Sequence, residues 1–363
     1  MTVASFASLY TTRFREKWMP YQPTSLHASN PHPFTVRELD LLIGENVLSI
    51  GSETLLDYGV DSGYPPLRQA LVEQLYPQLQ ADNVLTCAGA QEGIYLCMHA
   101  LLEKSDKVIA FTPLFEPLIA TARDISCQIE LLALDSENGW KIDFQQLAET
   151  IDDQTKMLII NYPHNPTGSH LTEEELGAII ALCQQHDVWL FSDEVFRGLE
   201  HDKADRLTTV AESYEKGISL GAISKAFGVP AIRVGWLVSQ RHSFLDRCKT
   251  IKGYLSICND QLGERLAVNL VKQAEILFDH HRQRLVANLQ LLENYKPELD
   301  FHSPKAGCTV FANVAMDSER FAENLVKKTG LLVIPNKAFC TRHNAVRLGF
   351  GRKYLKKYLD QLF

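Results

Sequence analysis

The sequence predicts an α/β protein with a large domain built on a mostly parallel sheet and a smaller α+β domain beside it. Three observations carry this. From about residue 84 to 240, short apolar runs rich in β-branched residues alternate with stretches of helical period, the pattern of βα units. The chain has 363 residues, well past the length of roughly 250 at which a single core usually gives way to two. After residue 260 the pattern changes to one long helical stretch and then mixed signals to the end, which suggests a second domain.

Taken in order, residues 1 to about 45, rich in Pro, His and Ser around "HASNPHPFT", fit neither pattern. With residues 261–363 they are assigned to the small domain, and residues 46–260 to the large one. Within the large domain "NVLTCAGAQEGIYLCMHAL" places a small-residue turn before a helix. The candidate strands are "KVIAF" (107–111), "QIELLAL" (128–134), "KMLIINY" (156–162), "VWLFSDEV" (188–195), "GISLGAI" (217–223) and "GWLVS" (235–239), forming one open sheet. Between them, "LTEEELGAIIALCQQH" has Thr172 as N-cap and Glu175 three residues on, a capping-box start for a covering helix.

Composition narrows the function classes. Hydrophobic residues make up 45% and charged residues 22%, which leaves no room for a long disordered region. A net charge of -8 opposes the basic footprint of a nucleic-acid binder. The eight cysteines are scattered with no CxxC pair and read as reduced thiols. The N-terminus lacks the apolar run of a signal peptide, and no segment offers about 18 uncharged apolar residues. A cytoplasmic protein with no membrane partner is expected. There is no GxGxxG after a strand, no GxxxxGK[ST] and no HExxH, so nucleotide hydride and phosphoryl chemistry lack their usual loops. The adjacent histidines of "DHHR" (279–282) do not face one site on a helix and read as surface residues.

In open parallel sheets ligands bind beyond the carboxyl ends of the strands. There "MLIINYPHNPTG" supplies Asn165 and Pro166, "VWLFSDEVFRG" supplies Asp193, and "SLGAISK" supplies Lys225. Singly these are weak, since Asn-Pro marks many turns and an Asp after a strand is often a helix cap. Together they bring an acid, an amide, a lysine, an arginine and an anion-binding helix start to one edge.

The motifs "DYGVDSGYPPLRQAL", "GAQEG", "FTPLFEP", "NYPHNPTG", "SDEVFRGL", "SKAFGVPAIRVGW" and "VRLGFGR", in this order, resemble the class I and II aminotransferases, fold-type I enzymes that use pyridoxal 5'-phosphate (PLP). The variants "NPHPFT", "PHNPTG", "DEVFRGLE" and "GYLSICN" are similar to the branch that includes capreomycidine synthase-like proteins. The resemblance implies an aspartate aminotransferase-like fold, amino acid and 2-oxo acid substrates, and a homodimer with shared active sites. The same cofactor chemistry would also serve a lyase or a capreomycidine synthase-like cyclase. A non-catalytic regulator is disfavoured by the absence of a separate DNA-binding segment.

Carried over residue by residue, Lys225 would form the Schiff base with the cofactor aldehyde and shuttle the proton, from a buried setting that lowers its pKa. Asp193 would pair with the pyridine nitrogen, and Asn165 would donate to the cofactor O3' and to the substrate carboxylate, with a cis bond to Pro166 as one option. Arg233, with the backbone around Gly89, Ala90 and Gln91, would bind the phosphate, Phe115 would stack on the ring, and Arg347 would grip the substrate α-carboxylate. Tyr58 matches the tyrosine that reaches the phosphate from the neighbouring subunit. Two positions depart from the family pattern. Phe196 stands where a tyrosine usually donates to O3', and Ala222 stands where a phosphate-binding serine is common, a loss that Ser224 or Ser219 would have to replace.

Overall fold

The computed structural model describes residues 7–44, 46–296 and 299–362. Among the described residues, chain order gives twelve strands. They are β1 (Thr24–Ser25), β2 (Val84–Cys87), β3 (Lys107–Thr112), β4 (Gln128–Ala133), β5 (Thr155–Asn161), β6 (Trp189–Asp193), β7 (Gly217–Ala222), β8 (Gly235–Ser239), β9 (Thr309–Asn313), β10 (Leu331–Leu332), β11 (Ile334–Pro335) and β12 (Ala345–Gly349). Seven form one sheet in the order β2-β8-β7-β6-β5-β3-β4. Pairing is parallel from β7 through β4 and antiparallel where β8 meets β7 and β2.

Central strands covered on both faces should be apolar throughout, and β7 is buried at every residue. Its Gly221 has no room for a side chain, because a Cβ there would lie 2.3 Å from the indole Nε1 of Trp236. That indole donates to Tyr76 Oη at 2.8 Å, so the edge of the sheet is fixed by packing and a satisfied polar contact together. On the covering helix Glu173–Gln185, Glu175 N donates to Thr172 Oγ1 and Thr172 N to Glu175 Oε2, the reciprocal cap the sequence indicated.

Four features differ from the sequence reading. Strand β2 joins the sheet beside β8, although "NVLTC" is too short to stand out as an apolar run. The long helical stretch is two helices, Gln261–Lys272 and Ala274–Glu293, parted at Gln273. The first 45 residues hold the helices Tyr10–Trp18 and Val36–Ile43, the second with its own Thr35–Glu38 capping box. Of the "DHHR" pair, His281 is fully buried rather than at the surface. Its ring lies 4.7 Å from that of Phe34, because the helix turns this face onto the N-terminal segment.

That segment is bound to the C-terminal sheet, where β9, β11 and β12 pair antiparallel. Strand β1 pairs in parallel with β10. Gly349 N donates to Leu26 O at 2.7 Å and His32 N to Gly351 O at 2.8 Å. The fit at Gly349 is backbone against backbone, since a Cβ there would sit 2.1 Å from Ala28 O.

Candidate active site

Parallel pairing aligns the carboxyl ends of β5 and β6, so Asn161 stands directly opposite Asp193. Asn161 binds the two following loops together. Its Nδ2 donates to Asp193 O at 2.8 Å, and its Oδ1 accepts from Asn165 N at 3.0 Å. The turn carrying Asn165 has a cis bond to Pro166 and is closed by Gly168 N donating to His164 O at 2.8 Å. One strand further along, the chain leaves β7 at Ala222 and reaches Lys225.

Lys225 is half-buried. Burial is the main cause that brings its amine down to about 8, with Arg347 pushing the same way and Cys308 and Asp193 opposing. Its Nζ donates to Ser29 Oγ at 3.0 Å and sits 5.4 Å above the ring of Phe196. Asp193 is 4% exposed. Burial raises its carboxyl to about 6, against the opposing pull of Val195 N, which donates to Oδ1 at 3.1 Å, and of the Lys225 charge. A half-buried lysine and a buried acid displaced toward each other's range are the kind of perturbed pair that marks reactive sites.

Arg347, on β12, is 5% exposed. Its Nη1 donates to Asn165 Oδ1 at 3.0 Å and its Nη2 to His27 O at 2.6 Å, while its buried Nε has no partner. Burial lowers it to about 10, so it remains a cation at neutral pH. The guanidinium is therefore oriented and still has donors to offer.

At the other end of the cleft Gly89, with φ at 82°, precedes the helix Ala90–Leu101. The guanidinium of Arg233 lies against it, such that a Cβ on Gly89 would meet Nη2 at 2.3 Å. Arg233 itself is exposed. Gln91 follows Ala90 in the first turn of that helix. Phe115 is half-buried in the loop after β3.

Ser224 is half-buried beside Lys225. Ser219 does not reach this edge. It is fully buried, donates to Glu194 Oε1 at 2.8 Å and accepts from Ala211 N at 3.0 Å. Tyr58 is 80% exposed. Sequence reasoning missed Ser29 and the carbonyl of His27, the second of which leaves no side-chain signal at all.

The family model for aminotransferases of class I and II matches residues 46–360. The chain belongs to this family. Among relatives of the aminotransferase is an aspartate aminotransferase of Pyrococcus horikoshii, 28% identical over 78% of this chain and 75% of the relative. A capreomycidine synthase of Streptomyces vinaceus is 28% identical over 90% of this chain and 81% of its own. The solved structure of a PLP-dependent aminotransferase from Streptococcus suis superposes with a TM-score of 0.89 at 26% identity, covering 100% of this chain and 97% of that one. The aminotransferase thus uses PLP and acts between amino acids and 2-oxo acids. Its residues fit that cofactor. They provide a depressed amine, a buried acid for a cationic ring nitrogen, and a glycine cradle under an arginine that a single Cβ would fill. Among the described residues no helix is long and apolar enough to cross a membrane.

Proposed function

We propose that the chain is a transaminase whose catalytic unit is Lys225, Asp193, Asn165 and Arg347, working as a cytoplasmic homodimer. The observation that carries this is the meeting of these four side chains at the carboxyl edge of the sheet, with Arg347 already hydrogen-bonded to Asn165. When bound, PLP supplies an aldehyde for amine capture and a ring that stabilises negative charge at the substrate Cα. Lys225, with its amine brought down to about 8, is the nucleophile and then the base that takes the Cα proton and returns it elsewhere on the same face. Asp193 pairs with the cationic ring nitrogen, a partner that favours its ionised form. Asn165 and Arg347 orient the substrate carboxylate, while Arg233 and the start of the helix Ala90–Leu101 hold the phosphate. Phe115 packs on the ring, and Ser224 stands in for the hydroxyl absent at Ala222.

The test is a panel of amino acids mixed with holoenzyme in the absence of any oxo acid, followed by absorbance of the cofactor. Amino transfer to the cofactor supports the proposal, and release of ammonia with no transfer refutes it in favour of a lyase. A cyclase is the second reading, favoured by the capreomycidine synthase that matches 90% of the chain. It would convert its amino acid with neither transfer nor ammonia release.

Three further outcomes are expected. Arg347→Ala should lower kcat/KM for amino donors by about 10- to 100-fold, the loss of one charge-assisted pair, while unreactive amines lacking a carboxylate bind unchanged. Phe196 cannot donate to O3', so the proton on the lysine nitrogen of the holoenzyme should persist to higher pH than in Phe196→Tyr, read by absorbance titration. An equal or lower value in the native enzyme would refute this. The dimer is supported by exposed Leu55, Leu56, Tyr58, Tyr254 and Ile257, more apolar surface than a monomer usually presents. Light scattering should return twice the 41.0 kDa chain mass.

A further inference from the structure

Residues 26–34 are held against the catalytic groups through their own backbone. Gly349 N donates to Leu26 O at 2.7 Å, Arg347 Nη2 to His27 O at 2.6 Å, His32 N to Gly351 O at 2.8 Å and Phe34 N to Gly228 O at 3.1 Å. Gly228 N donates in turn to Lys225 O at 3.0 Å. The stretch is thus tied to β12 on one side and to the turn of the catalytic lysine on the other. From within it, Ser29 Oγ accepts from Lys225 Nζ at 3.0 Å.

A lysine amine ends a flexible four-carbon stem, and without a fixed partner it has no single position. Among the described residues Lys225 forms no ion pair, and its Nζ is left with two neighbours, Ser29 Oγ at 3.0 Å and the ring of Phe196 at 5.4 Å. The ring face attracts a cation but sets no direction. A hydroxyl does set one, because an N–H···O bond weakens steeply when it is bent. It also serves both charge states, accepting from an N–H of the ammonium or donating to the lone pair of the free amine. Phe196 carries no hydroxyl, so the directed contact falls to Ser29.

We infer that Ser29 is a positioning residue for Lys225, its hydroxyl holding the free amine at the point from which it captures the cofactor and later moves the substrate proton. This rests on the role proposed above for Lys225. The amine is free in the apoprotein and, in that mechanism, again while it carries the Cα proton. Two residues before Ser29, the His27 carbonyl holds Arg347, so the proton-moving group and the carboxylate-holding group are aligned from one short stretch.

The first test needs no turnover. Cyanate adds to an unprotonated amine, and its rate at Lys225 of the cofactor-free protein against pH, read by mass spectrometry, gives the midpoint of that titration. A bond donated to Ser29 favours the ammonium over the amine. Ser29→Ala should therefore lower the midpoint, about 8 in the native fold, by about one unit. Ser29→Thr, which keeps a hydroxyl, should leave it near the native value. In the holoenzyme Ser29→Ala should lower kcat about 10-fold, as expected for a base held less precisely, with little change in KM and a larger isotope effect for a donor deuterated at Cα. Ser29→Thr should recover kcat. None of the backbone tethers uses the Ser29 side chain, so Ser29→Ala should fold.

A midpoint unmoved or raised in Ser29→Ala, or a loss of kcat that Ser29→Thr does not reverse, overturns the proposal. A native enzyme that transfers no amino group, alongside a midpoint that follows the Ser29 hydroxyl, faults the transaminase reading only.

Discussion

Replacing Lys225 with alanine should lower the rate of amino transfer by at least about 10⁴-fold, because in the proposed mechanism one residue supplies both the nucleophile and the acid–base group. The variant should still fold. In the apoprotein it should even be more stable than the native chain near neutral pH. The Lys225 amine stands at about 8 in the fold against 10.5 in the unfolded chain. Below pH 8 the fold must hold a buried ammonium that water would hold more easily, so the unfolded state binds the proton more tightly. That cost, on the order of 3 kcal/mol, fades as pH rises from 8 to 10.5. The stability gain of Lys225→Ala should therefore be largest at pH 7 and shrink toward pH 10.5 in denaturant titrations of cofactor-free protein. A gain that does not depend on pH would contradict the burial of this amine.

Asp193→Asn should cost about 10²- to 10³-fold in kcat, the range for losing one aligned electrostatic partner, with little change in KM. An amide is nearly the same size but cannot hold a cationic ring nitrogen. The native acid has a second, pH-dependent signature. In the apoprotein burial holds its carboxyl at about 6 rather than the usual 3.8, so it becomes neutral as pH falls through 6 and can no longer meet a cation. Cofactor affinity should decline below about pH 6 in the native protein and stay flat across the same range in Asp193→Asn. Equilibrium dialysis against PLP from pH 5 to pH 8 reads the difference directly.

Much of this site was legible in the sequence because its side chains sit where apolar strands end. Asp193 follows "VWLFS", Lys225 follows "GISLGAIS" and Asn165 follows "KMLIINYPH", and parallel pairing then sets the three at one edge. What escaped notice has other physical origins. The His27 carbonyl that holds Arg347 is a backbone group, identical in every residue. Ser29 is an ordinary serine until the N-terminal segment is laid across the cleft. Ser219 was a candidate for the phosphate, but the alternation of a strand turns it to Glu194 on the other face. Strand β2 has four residues, too few for periodicity to declare itself. The buried His281 went unrecognised because which face of a helix is covered depends on a partner more than 200 positions away.

The contact between Arg347 and His27 closes a loop of 320 positions, and the one between Lys225 and Ser29 closes 196. Both use the segment around residues 27–29, and one of them uses β12. All seven strands of the central sheet lie more than 100 residues before β12, so a nascent chain has them before it has Arg347. A chain that stops short of residue 347 would carry the lysine and the acid but not the guanidinium proposed to hold the substrate. The proposed hold on a substrate therefore depends on a contact that spans 320 positions and forms only after every strand of the central sheet has been made.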